Sequence, residues 1–364
     1  MNYRKSEAKE AARAQFRGLW AAITTPFTPD LQVDEAGLRH NMRHVTDNLK
    51  IEGVFCTGVM GEFWSLSKEE RKRIVEIVVE EAKRGGCKVI AHTAHHSAHE
   101  TVDLTRHAQN VGADFVILMN PYYPPMSEQT IYDWFKFVAS RVEIGIWMFD
   151  AVYSGYGLSP ELTARIAGIE NVCGLKVPRT IEHYAKVQKL CGDKIVMSNP
   201  NEDDWLTMMR DYGQKVYQSS QRPYLYQTAT WTPFRDYTEL GLAGRFEEAE
   251  KIAKQLQPLR EMHVKWLRPH WESKKVIAIA YIKAWSELMG MAGGPVRPGL
   301  PQITAKERQE MRSDLERTGL LSRYRPRRRL DRGLIPKWAS GRLRSAGSLI
   351  LREFRCQTCC SVAA

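Results

Sequence analysis

Eight short runs of β-branched and apolar residues recur along the first two thirds of the chain, each followed by a stretch whose apolar residues return at helical spacing. They are 22–24, 54–57, 89–92, 115–119, 144–149, 172–177, 195–198 and 215–219. Runs that stay apolar rather than alternating belong to strands buried on both faces, as in a parallel sheet covered by helices. Successive runs are spaced by roughly 20 to 35 residues, the length of a βα unit, and eight such units close a parallel barrel without an exposed edge. The helical stretches carry start signals: Asp34, Ser67 with Glu70 completing a capping box, Ser97 or His99, Ser127, and Ser159 ahead of Pro160. The pattern predicts an α/β protein, a (β/α)8 TIM barrel.

After the eighth run the grammar changes. Residues 239–261 and 276–291 read as helices with no strand between them, and a last helix from Thr304 ends at Gly319. The expected organisation is an N-terminal extension over 1–17, the barrel over 18–235, C-terminal helices packed on it over 236–321, and a basic, disordered tail over 322–364.

Charge supports that division. The formal net charge is +11, which by itself suggests a nucleic-acid partner, but the tail holds 11 Lys+Arg and 2 Asp+Glu while the first 321 residues are near neutral. A charge confined to a tail argues against a nucleic-acid-binding face. No run approaches the roughly 18 apolar residues of a membrane-spanning helix, and the N-terminus has no apolar secretory signal. Seven cysteines, an odd number, then read as reduced thiols in a cytoplasmic protein with no membrane partner.

Active sites of such barrels lie where the strands end. Lys88, Lys194 and Lys215 stand at strand beginnings, whereas Lys176 falls late in the sixth run, in Val172-Cys173-Gly174-Leu175-Lys176-Val177. A lysine among apolar neighbours has a depressed pKa, and a neutral amine attacks a ketone to form an imine. The alternative is a lysine that snorkels out of the barrel mouth. After the second run, Gly58-Val59-Met60-Gly61 can turn backbone N–H groups onto a carboxylate, or serve simply as a tight strand-to-helix turn. Runs seven and eight end in Ser198 and Ser219, which join Gly58, Val59, Met60 and Gly61 as substrate-binding candidates.

Thr25-Pro26-Phe27, Gly58-x-x-Gly61-Glu62 with Ser65-Leu66-Ser67, Gly112-Ala113-Asp114, Pro121-Tyr122-Tyr123, Leu158-Ser159-Pro160-Glu161 and Gly174-x-Lys176 follow one another on successive units. In this order, over roughly residues 18–321, the chain resembles the dihydrodipicolinate synthase and N-acetylneuraminate lyase superfamily. The resemblance implies that Lys176 is a Schiff-base lysine for pyruvate or another 2-oxo acid and that Gly58–Gly61 holds the carboxylate. It also implies that Tyr123 reaches a neighbouring site in a homodimer or homotetramer. No cofactor is expected, and no metal, since no matching carboxylate-and-histidine pattern ends the other strands.

Several positions depart from the family pattern. Val59 and Met60 stand where the family carries threonines, and Met148 and Phe149 where it carries a tyrosine that acts as acid and base. The family's second-carboxylate arginine aligns near Tyr153. These differences argue against true dihydrodipicolinate synthase activity, and they leave Tyr153 and Tyr156 as the nearest hydroxyls to replace the lost one. The run Gly61-Glu62-Phe63-Trp64-Ser65-Leu66 resembles that of keto-deoxyglucarate dehydratases. The expected activity is therefore a Schiff-base-forming aldolase or dehydratase with catalytic Lys176, Tyr123 and Tyr153. The alternatives are a degenerate barrel with a binding or regulatory role, and a metal-dependent enzyme using His92, His95, His96 and His99.

Overall fold

The computed structural model describes residues 2–121, 123–124, 126–151 and 156–323. Tyr153 and all but the first two residues of the expected basic tail lie outside the described residues. Eight strands form one parallel sheet: β1 (Gly18–Ala22), β2 (Gly53–Cys56), β3 (Lys88–His92), β4 (Phe115–Met119), β5 (Ile146–Phe149), β6 (Val172–Lys176), β7 (Val196–Ser198) and β8 (Val216–Ser220). From β1 to β7 each strand pairs with the next in sequence, and β8 pairs with β1. Helices intervene, so the chain is a (β/α)8 barrel.

The first strand lies earlier than residues 22–24. Its ladder with β2 and β8 runs through Leu19, Trp20 and Ala21, and past Ala22 a bond from Ile23 N to Phe55 O (3.1 Å) continues the extended path. The β7–β8 seam has no ladder; side chains close it instead. Ser198 Oγ accepts from Gln218 N (2.8 Å) and lies 3.0 Å from the carbonyls of Val216 and Gln218.

The helix starts follow the sequence signals. Asp34, Ser67, Ser97, Ser127 and Ser159 each accept a backbone N–H from the first turn, and Ser67 and Glu70 form the reciprocal box. Residues before β1 are built into the barrel floor. Helix Ala8–Gln15 leads to Phe16, whose ring packs on Trp20 (4.1 Å), Trp147 (4.2 Å) and Phe115 (4.8 Å). Tyr3 Oη donates to Asp114 O and accepts from Gly145 N just below β4 and β5. This plug covers the end of the barrel remote from the strand C-termini. Beyond β8 come further helices, including Gln257–Trp266, Ile279–Leu288 and Ala305–Arg317. No helix among the described residues is long and apolar enough to cross a membrane.

Candidate active site

Lys176 is the last residue of β6, between Phe149 on β5 and Ser198 on β7 in the ladder register. Gly174 explains how the strand fits there: a Cβ on it would come within 2.1 Å of the Trp147 ring. The lysine side chain is buried, and its Nζ donates to Ser219 O on β8 at 2.7 Å. Its remaining surroundings are aromatic, with the Phe149 ring centre 4.6 Å and the Phe55 ring centre 5.0 Å from Nζ. No carboxylate pairs with it among the described residues, so burial acts on the ammonium unopposed and pulls its pKa down to about 7. An amine so placed is substantially neutral at physiological pH, the state in which nitrogen is a nucleophile.

The loop after β2 coils tightly. Gly61 N and Phe63 N donate to Gly58 O, and Glu62 N donates to Val59 O. The amides of Val59 and Met60 therefore stand at the open start of the turn, with no hydrogen bond to the described residues. Unused successive N–H groups of this kind suit an anion. Gly58 is required by a neighbour: a Cβ there would meet the Phe55 ring at 2.4 Å. The Phe55 ring thus packs beside both the loop and Lys176.

The other candidates fall in different places. Ser198 is fully buried and its hydroxyl is occupied in the β7–β8 seam, while Ser219, whose carbonyl holds Lys176, presents a buried Oγ with no partner among the described residues. Tyr123 is 74% exposed. Met148 and Phe149, both buried, are the last residues of β5, so that strand ends without a hydroxyl side chain. Tyr156 is half-buried, with its Oη 3.5 Å from Glu128 Oε1. The four histidines do not converge on one point: His92 is buried inside the barrel, His95 Nδ1 accepts from Ser97 N while its ring stands 6.1 Å from that of His96, and His99 packs on Phe137. Among the described residues, no three His, Cys, Asp or Glu side chains gather into a metal-binding group.

Two residues that the sequence motifs contain take places that the sequence did not assign to them. Glu62 takes a left-handed backbone (φ 57°) directly after the loop and is fully buried. Its carboxylate is met by Lys283 of helix Ile279–Leu288 at 2.6 Å and by Arg297 N at 3.0 Å. Arg297 in turn pairs with Glu70, the capping-box residue of helix Lys68–Gly85, with Nη1 to Oε2 at 2.7 Å. The C-terminal helices therefore anchor the loop that carries the free amides. The second residue is His92, whose imidazole reaches the interior between Phe55 and Phe63.

A parallel barrel with an uncompensated lysine at the end of its sixth strand and a glycine-flanked amide loop after its second defines a class of barrel enzyme. Residues 15–318 match the dihydrodipicolinate synthetase family, and the chain belongs to it. It is 29% identical over 302 residues to 4-hydroxy-tetrahydrodipicolinate synthase of Methanothrix thermoacetophila, covering 82% of this chain and 96% of the relative. To the synthase of Methanopyrus kandleri it is 28% identical over 316 residues, covering 84% and 98%. The structure of dihydrodipicolinate synthase from Aquifex aeolicus has the same fold, with a TM-score of 0.72 at 24% identity, covering 84% of this chain and 99% of that one. Family and relatives point to a lyase.

Proposed function

We propose that the chain is a Schiff-base-forming lyase, an aldolase or dehydratase acting on pyruvate or another 2-oxo acid, and that it is not a true dihydrodipicolinate synthase. The observation that carries this reading is Lys176: a buried amine without a counter-charge, its pKa near neutrality, at the mouth of the barrel. The neutral amine adds to the C2 carbonyl and water leaves. The resulting protonated imine withdraws electrons from C3, so that a C–C or C–O bond next to it is made or broken. The amides of Val59 and Met60 support binding of the C1 carboxylate, and Ser219 Oγ is free to contact substrate. The departure from dihydrodipicolinate synthase activity rests on Met148 and Phe149, which leave β5 without the family hydroxyl.

Borohydride added with pyruvate tests this, with intact and peptide mass as the readout. The expected result is a reduced adduct on Lys176, and its absence with pyruvate and longer 2-oxo acids would sink the reading. The aliphatic loop and hydroxyl-free β5 also favour a second reading, a barrel that binds a 2-oxo acid without turnover. An adduct on Lys176 with no turnover across a broad panel of 2-oxo acids supports that one. For assembly, the exposed Tyr123 side chain supports a homodimer or dimer of dimers meeting near the loops after β3 and β4. Sedimentation giving only monomer at micromolar concentration would refute it.

A further inference from the structure

We propose that His92 is a catalytic residue, the base that takes a proton from C3 of the imine formed on Lys176. The proposal rests on the reading of Lys176 as the imine-forming amine, and it supplies the acid–base group that β5 lacks.

His92 ends β3 and is 2% exposed. Its Nδ1 lies 3.1 Å from Thr57 O. A carbonyl oxygen only accepts, so Nδ1 carries the ring proton and Nε2 presents a lone pair. That Nε2 is buried and has no hydrogen-bond partner among the described residues. A buried acceptor left unpaired destabilises the fold, so its presence calls for a use. The imidazole and Lys176 pack against the same ring: Phe55 lies 6.4 Å from the His92 ring centre, and its own centre is 5.0 Å from Lys176 Nζ. The backbone of His92 is also held, its carbonyl accepting from Arg71 Nη2 at 2.8 Å.

Electrostatics keep the lone pair available. Burial first, then the Arg71 guanidinium and the Lys176 ammonium, hold the imidazole well below its ordinary pKa, so the ring is neutral throughout the physiological range. The proton transfer conserves charge within the barrel. The C3–H bond breaks and its proton passes to Nε2, while its electron pair forms the C2–C3 double bond. The π pair of the C2–N bond returns to nitrogen, leaving a neutral enamine. The single positive charge moves from the iminium nitrogen to the imidazolium, and no second charge is buried.

The test uses the full chain with pyruvate, and with 2-oxobutanoate as a second probe, in deuterium oxide. Borohydride trapping reports the imine, and proton NMR reports exchange of the C3 protons. For His92→Gln the expected result is an adduct on Lys176 as in the unaltered chain, with C3 exchange slowed about a hundredfold or more. His92→Gly provides a smaller replacement, in which added imidazole is expected to restore exchange. Exchange in either variant within about threefold of the unaltered chain overturns the proposal. So does an unaltered chain that forms the adduct and exchanges no C3 proton. An unaltered chain that forms no adduct instead refutes the reading of Lys176, a result separable from the one on His92.

Discussion

The ammonium of Lys283 lies 2.6 Å from Glu62 Oε1, and neither side chain is exposed to solvent. Lys283 also donates to Pro295 O and sits 4.2 Å from the centre of the Phe27 ring. One ion pair therefore joins the loop after β2, the segment after β1 and the C-terminal helices. Removing one partner leaves the other charge buried and uncompensated. Lys283→Met is expected to destabilise the chain by about 3–5 kcal/mol in urea unfolding. The double variant Glu62→Gln/Lys283→Met, which buries no lone charge, is expected to be more stable than Lys283→Met alone.

The pH dependence of Lys176 follows from its low pKa. Its amine is neutral above about pH 7, so the rate of imine formation should rise through pH 7 and level off above it. A solvated lysine would keep gaining rate toward about pH 10. The folded pKa lies below the unfolded value, so the native state binds fewer protons between these limits and its stability rises with pH there. Lys176→Met removes the buried ammonium. The variant is expected to be more stable than the unaltered chain below pH 7, with the advantage shrinking as pH rises from 7 toward 10.5. Calorimetry at several pH values checks this, and a constant difference would contradict it.

Lys176 was legible because a charge late in an apolar strand violates the pattern around it, and strand order alone puts that position at the active end of the barrel. The amide loop was legible for a similar reason, since two glycines bound it. His92 was ambiguous: four histidines share one short run, and nothing in their spacing says which ring enters the barrel. The pair Glu62–Lys283 was illegible because the partners meet only after the C-terminal helices fold back over the strand ends. Ser198 and Ser219 looked alike as strand-ending hydroxyls, and what separates them is the missing ladder between β7 and β8, a property of barrel closure that no local sequence carries.

That distinction is measurable. Ser198→Ala removes the acceptor of Gln218 N and leaves a buried donor unpaired, an expected loss of about 1–3 kcal/mol in denaturant unfolding. Ser219 Oγ holds no hydrogen bond to the described residues, so Ser219→Ala should leave stability within about 0.5 kcal/mol. If Ser219 contacts substrate, its variant raises KM for the 2-oxo acid while the fold is unchanged. Equal stability losses in the two variants would refute the assignment of Ser198 to the seam.

The two loop glycines should also respond differently to a methyl group. At Gly58 a Cβ would meet the Phe55 ring at 2.4 Å, whereas at Gly61 the nearest atom is Thr25 Oγ1 at 3.3 Å. Phe55 cannot move freely, because its ring also packs beside Lys176 and, at 6.3 Å, Phe149. Gly58→Ala therefore pushes an aromatic ring toward the amine, with an expected overpacking loss of about 1–3 kcal/mol. Trapping of the imine on Lys176 should slow in the same variant, since the ring intrudes where the 2-oxo acid must approach. Gly61→Ala asks only a few tenths of an ångström of a threonine side chain and should trap at close to the unaltered rate. If Gly61→Ala slows trapping as much as Gly58→Ala does, the Phe55 ring is not what couples this loop to the lysine.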